Sequence, residues 1–120
     1  MSSLHSIEWA FIRGAFRLLI LAILEESVMQ GYHVIKRMEQ VIGERPSLST
    51  VYTILANLER KGLIRSIQRG GECRYYVLTE RGRRLLANVR RRSRDRLISI
   101  MSKILGVKNL EINASQSAVR

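Results

Sequence analysis

Ser49, Thr50, Thr53 and Asn57 place hydroxyl and amide groups at intervals of one, three and four residues, which gathers them on one side of the segment if it is helical. Ser47 and Tyr52 add two more hydroxyls to the same stretch. A compact, uncharged surface of this kind donates and accepts hydrogen bonds, which is the chemistry for reading base edges rather than for making or breaking bonds. Further along, Arg69 and Arg74 bracket a Gly70-Gly71 pair, and their planar guanidinium forks suit phosphate oxygens and guanine edges. Lys36 and Arg37 lie on an earlier helical segment, where a cation can position a nucleic-acid backbone.

Covalent chemistry finds no comparable arrangement. His5 and His33 are the only histidines, Asp95 is the only aspartate, and no acid pair or Cys/His spacing points to a general base or a metal site. No catalytic residue, metal or cofactor is therefore expected. The single cysteine, Cys73, excludes an intramolecular disulfide. On a strand it is expected to be inert, with redox sensing beside Arg74 as the less favoured alternative.

The chain has 120 residues, 46% of them apolar, and one proline, which implies one folded, mainly helical domain's worth of sequence. Its most apolar stretch, Ala15 to Leu24, contains Arg17 and falls well short of the roughly 20 residues that cross a bilayer. It also lacks a small-residue cleavage site, so the expectation is a cytoplasmic, nucleoid-associated protein. The net charge is +11, yet residues 1–59 carry −1, residues 60–96 carry +10 and residues 97–120 carry +2. Of the 21 basic residues 17 are arginine, which favours phosphate binding over mere solubility for the basic segment.

These groups need a scaffold, and the pattern of the chain supplies one. Residues 1–14 predict an N-terminal helix or arm, and Ala15 to Glu25-Glu26-Ser27 a helix apolar nearly all round, hence enclosed. Gln30-Gly31-Tyr32 opens an amphipathic helix that Gly43 stops. A third helix, N-capped by Ser47 or Ser49, buries Val51, Ile54, Leu55 and Leu58 and ends at Lys61-Gly62. Leu63 to Arg69 and Glu72 to Leu78 predict strands joined through a two-residue Gly70-Gly71 turn. Thr79 then N-caps a last helix that runs to Gly106, roughly 26 residues or about 39 Å long.

The second half of that helix is too long to pack on its own domain. Its strip of Leu97, Ile98, Met101, Ile104 and Leu105 predicts dimerisation, while Arg90-Arg91-Arg92-Ser93-Arg94 keeps the middle solvated or tracks flanking DNA. The expected fold class is mainly α, an α+β winged helix-turn-helix with a three-helix core, a two-stranded β wing and a long C-terminal dimerisation helix. Residues 1–78 form the expected DNA-binding domain, residues 79–106 the dimerisation helix and residues 107–120 a flexible tail.

The chain resembles the PadR family of transcriptional regulators, in the short form that ends in one dimerisation helix. The resemblance is carried by Leu18 to Leu24, Gly31-Tyr32, Pro46-Ser47, Thr50-Val51-Tyr52, Leu55 to Ile64, Arg74 to Thr79 and Gly82, in that order and spacing. It implies a dimer whose third helices enter successive major grooves of double-stranded DNA while the wings touch the backbone, and, for most members, repression. Ser49 stands where a glycine is common, Thr53 where a proline is usual and His33 where an acid is frequent, so operator sequence does not transfer from relatives. Some short members stack a flat effector on a tryptophan in the long helix; here that helix has no aromatic residue, Trp9 and Phe16 are expected to pack in the core or dimer interface, and no effector is assigned. Two other readings compete with a sequence-specific regulator. One is a sequence-tolerant architectural or chromatin protein using the +10 segment, and the other a winged-helix module that binds protein through its long helix.

Overall fold

A computed structural model describes residues 4–71 and 73–108. Its elements follow in the order α1 (Ser6–Gly14), α2 (Phe16–Glu26), β1 (Met29–Gln30), α3 (Gly31–Ile42), α4 (Leu48–Arg60), β2 (Ile64–Arg69), β3 (Cys73–Leu78), α5 (Glu80–Arg92) and α6 (Arg94–Leu105). The chain divides into two compact units, Met1–Leu86 and Ala87–Arg120. The fold is the mainly helical winged helix expected from sequence.

In the first unit α2 is the centre. Its Phe16, Ile20, Leu21, Ile23 and Leu24 are all buried, as an all-round apolar helix requires. Val34, Ile35 and Met38 of α3 and Val51, Ile54, Leu55 and Leu58 of α4 recur at three- and four-residue intervals and close over it. Ile64, Tyr76 and Leu78 bring the sheet into the same core. Trp9 meets Phe16 edge to face at 5.8 Å, so both aromatics serve packing. His5 opens α1: its Nδ1 accepts the Ile7 N–H at 3.1 Å, and Glu8 takes the His5 N–H at 2.9 Å.

Three features differ from the sequence expectation. The sheet has three strands, not two, because Met29 and Gln30 pair with Tyr76 and Tyr75 to give the order β1-β3-β2. Two residues are too few to show a period, so nothing local announces β1. The wing register pairs Arg69 with Cys73, which leaves positions 70–72 between them rather than a two-residue turn. Gly70 and Gly71 do take positive φ, 56° and 82°.

The third difference is that the last helix is divided at Ser93, where φ is −108° and ψ 3°. Hydrogen bonds from Ser93 N–H to the Val89 carbonyl and from Leu97 N–H to the Ser93 carbonyl, both 2.9 Å, persist across it. The distortion therefore affects one residue. Its physical cause is the arginine cluster: Arg90 with Arg94 and Arg92 with Arg96 are like charges one turn apart, and serine there is a weaker helix former than its neighbours. In the expected tail, Val107 and Lys108 follow Gly106 and residues 109–120 lie outside the described residues.

Side-chain hydrogen bonds fix α4 and the turn after it to the elements that follow. Glu59 Oε2 accepts from both the Ser66 N–H, at 3.3 Å, and its hydroxyl, at 2.6 Å, which ties the end of α4 to β2. Thr79 Oγ1 donates to the Gly62 carbonyl at 2.7 Å and accepts the Gly82 N–H at 3.1 Å, capping α5 and locking it to the turn after α4.

Candidate nucleic-acid interface

Helix α4 begins at Ser47, whose side chain accepts the Thr50 N–H at 3.4 Å and lies 3.0 Å from the Ser49 hydroxyl. With the apolar residues of α4 committed to the core, Ser49, Thr53, Ala56 and Arg60 form its exposed row, at intervals of four, three and four. Ser49 and Thr53 belong to the expected set; Ala56 and Arg60 extend it, and their spacing alone was enough to find them. Thr50 and Asn57 are half-buried on one flank of the row, and the Asn57 Oδ1 is buried without a hydrogen-bond partner. The structure thus separates Asn57 from the fully exposed groups with which its polarity had placed it.

Tyr52 occupies the other flank, 44% exposed. Its ring lies over the start of α3, where a Cβ on Gly31 would come 2.6 Å from the Tyr52 hydroxyl oxygen and 2.7 Å from Cε1. The glycine thus makes room for the ring, and packing and exposure combine in one side chain. Gly31→Ala is expected to push Tyr52 outward at little cost in stability, because the obstacle is the free end of an exposed side chain. DNA affinity should fall by the same factor in Gly31→Ala, Tyr52→Ala and the double variant, read by titration with one duplex; additive losses would separate the two residues.

Beside Tyr52 an open cleft of about 560 Å³ is lined by Gln30, Gly31, Tyr32, Cys73, Arg74 and Tyr76. Alternation along β3 sends Arg74 and Tyr76 to one face and Tyr75 to the other. Burial pushes the Tyr76 hydroxyl up from its ordinary pKa, opposed by its hydrogen bond with Arg74. Arg69 lies on the opposite face, its guanidinium 5.4 Å over the Tyr75 ring. The two wing arginines therefore leave the ribbon from opposite faces, and only Arg74 shares the cleft with Tyr52. Cys73 is exposed at the same end of the wing.

On α3, Arg37 is engaged by Glu26 through contacts of 2.8 and 2.9 Å and by Gln40 at 2.6 Å, which ties α3 to the end of α2. Lys36 is exposed, with its ammonium 5.8 Å from the Tyr32 ring. Two basic residues missed from sequence complete the surface. Arg13 and Arg17 line an open groove of about 330 Å³ with Ser49, Thr50, Thr53 and Ile54. No local pattern links positions more than thirty residues apart, so only the fold brings them together.

The family model for the transcriptional regulator PadR-like family matches residues 20–88, more than half of the chain. The chain belongs to the PadR-like family. A PadR family transcriptional regulator from Eggerthella lenta superposes on this PadR-like chain with a TM-score of 0.70 at 28% identity, over 86% of this chain and 92% of that one. One from Clostridium difficile gives 0.64 at 26% identity, over 76% and 98%. Among curated proteins, an uncharacterized 37.1 kDa protein in transposon Tn4556 of Streptomyces fradiae is 37% identical over 70 residues, 58% of this chain. That match spans 20% of the relative's length.

PadR-like regulators bind DNA and are not enzymes. The matched span holds α4, the wing and the Gly31–Tyr52 contact, and stops short of both Arg13 and Arg17 on one side and α6 on the other. Among the described residues no His, Cys, Asp or Glu cluster could hold a metal ion, and no helix is long and apolar enough to cross a membrane.

Proposed function

We propose that this chain is a homodimeric repressor that reads a pseudo-palindromic operator, with α4 of each copy in the major groove. The observation that carries the reading is the exposed row of Ser49, Thr53, Ala56 and Arg60 on α4, flanked by the cleft that Tyr52 shares with Arg74 of the wing. Ser49 and Thr53 meet base edges; Ser47, Thr50, Tyr52 and Asn57 support or flank them. Arg74, Arg69 and Lys36 contact phosphates, and the acidic phosphate backbone complements the excess of positive charge in residues 60–96. The α6 strip of Leu97, Ile98, Met101, Ile104 and Leu105, to which Ile100 is added by its exposure, pairs two copies. The half-sites then lie about 34–36 Å apart, one turn of the duplex.

This assignment divides the work between residues. Arg74→Ala is expected to weaken all duplexes by a common factor and to lower the slope of log affinity against log salt by about 0.9. Thr53→Ala is expected to relax preference at one base pair per half-site, worth about 1–3 kcal/mol. Titrations of both variants against an operator and against random duplex check the division; equal losses on both DNAs for Thr53→Ala would sink it. Competition of labelled operator with excess random duplex separates the regulator from a sequence-tolerant architectural protein, which random duplex would displace.

A further inference from the structure

Arg13 stands in the last turn of α1 and Arg17 in the first turn of α2. Ala15 between them has near-helical angles, φ −88° and ψ −7°, and its carbonyl accepts the Leu19 N–H at 2.9 Å. The four-residue spacing therefore keeps both side chains on one side of the junction, where they line the groove along α4. Among the described residues neither forms an ion pair or a hydrogen bond, whereas Arg37 and Arg45 are matched by Glu26 and Glu39. Two exposed guanidinium groups on one groove, with no internal anion on either, leave their donors free for an external one.

The groove's other wall tells which anion fits. It consists of Ser49, Thr50, Thr53 and Ile54, the flank of α4 that turns away from Tyr52 and the wing. At 100° per residue Tyr52 and Thr50 are about 160° apart around the helix. A helix lying in a major groove has a sugar-phosphate strand along each side. Under the reading given in Proposed function, the wing and Tyr52 serve one of those strands.

We propose that Arg13 and Arg17 grip the other one, forming a phosphate clamp on the side of α4 remote from the wing. The inference rests on α4 entering the major groove as given under Proposed function. It assigns DNA contacts to a segment that precedes the span shared with the family. It also supplies affinity from residues 1–59, whose net charge of −1 conceals a local concentration of cations.

The test uses the full chain, a short fluorescent duplex of arbitrary sequence and an operator duplex, titrated across a range of potassium chloride. Arg13→Gln/Arg17→Gln is expected to lower the slope of log affinity against log salt by about 1.8, two phosphates at about 0.9 each, and to weaken both duplexes by the same factor. Arg13→Lys/Arg17→Lys keeps the charges and should keep the slope. All proteins are compared below their melting transitions. An unchanged slope in the glutamine pair, a loss confined to the operator duplex, or an equal loss of slope in the lysine pair overturns the clamp. If the wild-type chain binds and Arg74→Ala lowers the slope while the glutamine pair does not, the clamp alone fails; if wild type binds neither duplex at low salt, the reading beneath it fails as well.

Discussion

Replacing Leu97 and Ile104 by glutamate is expected to turn a dimer into a monomer and to lower operator affinity by about 10²–10⁴, with binding to a single half-site unchanged. No residue of α6 is buried within one copy, and Leu97 and Ile104 are 44% and 58% exposed. They share a strip with Ile98, Met101 and Leu105, all lying within about half of the helix circumference at 100° per residue. Exposed apolar surface of this extent is costly in water and is relieved when a second copy covers it. Four glutamates in one interface would oppose that burial with unpaired charge. The loss of affinity follows from linkage: in a dimer the second half-site is met at the high effective concentration set by the first, and a monomer forfeits that factor without losing any contact to DNA. Sedimentation and titration on one- and two-half-site duplexes check it. A variant that remains dimeric, or a wild-type chain that is already monomeric at micromolar concentration, would remove α6 from the interface.

Gly82→Ala is expected to be the most damaging single-methyl addition to the fold, costing about 3 kcal/mol and lowering the melting temperature by roughly 10 °C or more. A Cβ at Gly82 would overlap the Leu63 backbone carbonyl and come 2.7 Å from Leu78 Cδ1. The Leu63 carbonyl cannot swing away, since it accepts the Thr79 N–H at 3.2 Å in the same junction that holds α5 to the turn after α4. Gly14→Ala is the matched control, because beyond its chain neighbours and its own helix backbone nothing lies within 4 Å of a Cβ there and φ is ordinary. Thermal unfolding of the two variants side by side gives the comparison. Equal melting temperatures would show that Gly82 is not held by close packing.

Much of this architecture was legible because it is periodic or punctuated. The apolar spacing of α4 matched its buried residues, that of α3 did so for Val34, Ile35 and Met38 but not for Val41, which is exposed, Ser47 capped α4, and Gly43 and Gly62 stood at helix ends with φ of 86° and 76°. The candidate site was legible where one helix face or one hairpin carried it, as with Ser49, Thr53 and Arg74. It was not legible where long-range geometry decides. Gly31 makes room for Tyr52 across 21 positions, β1 exists only because β3 offers it an edge, and Arg13 and Arg17 meet α4 only through the packing of α2. Segment totals of charge also misled: they made the N-terminal half look neutral, when its cations Arg13 and Arg17 line the groove along the polar helix.

The central claim is that two copies of α4, at fixed spacing, read a base sequence. Selection of bound duplexes from a random-sequence library by the wild-type chain, at physiological salt, tests it most directly. The prediction is enrichment of two inverted half-sites with centres about 10–10.5 base pairs apart. Recovery of DNA with no common motif, or of a single motif without symmetry, would contradict it.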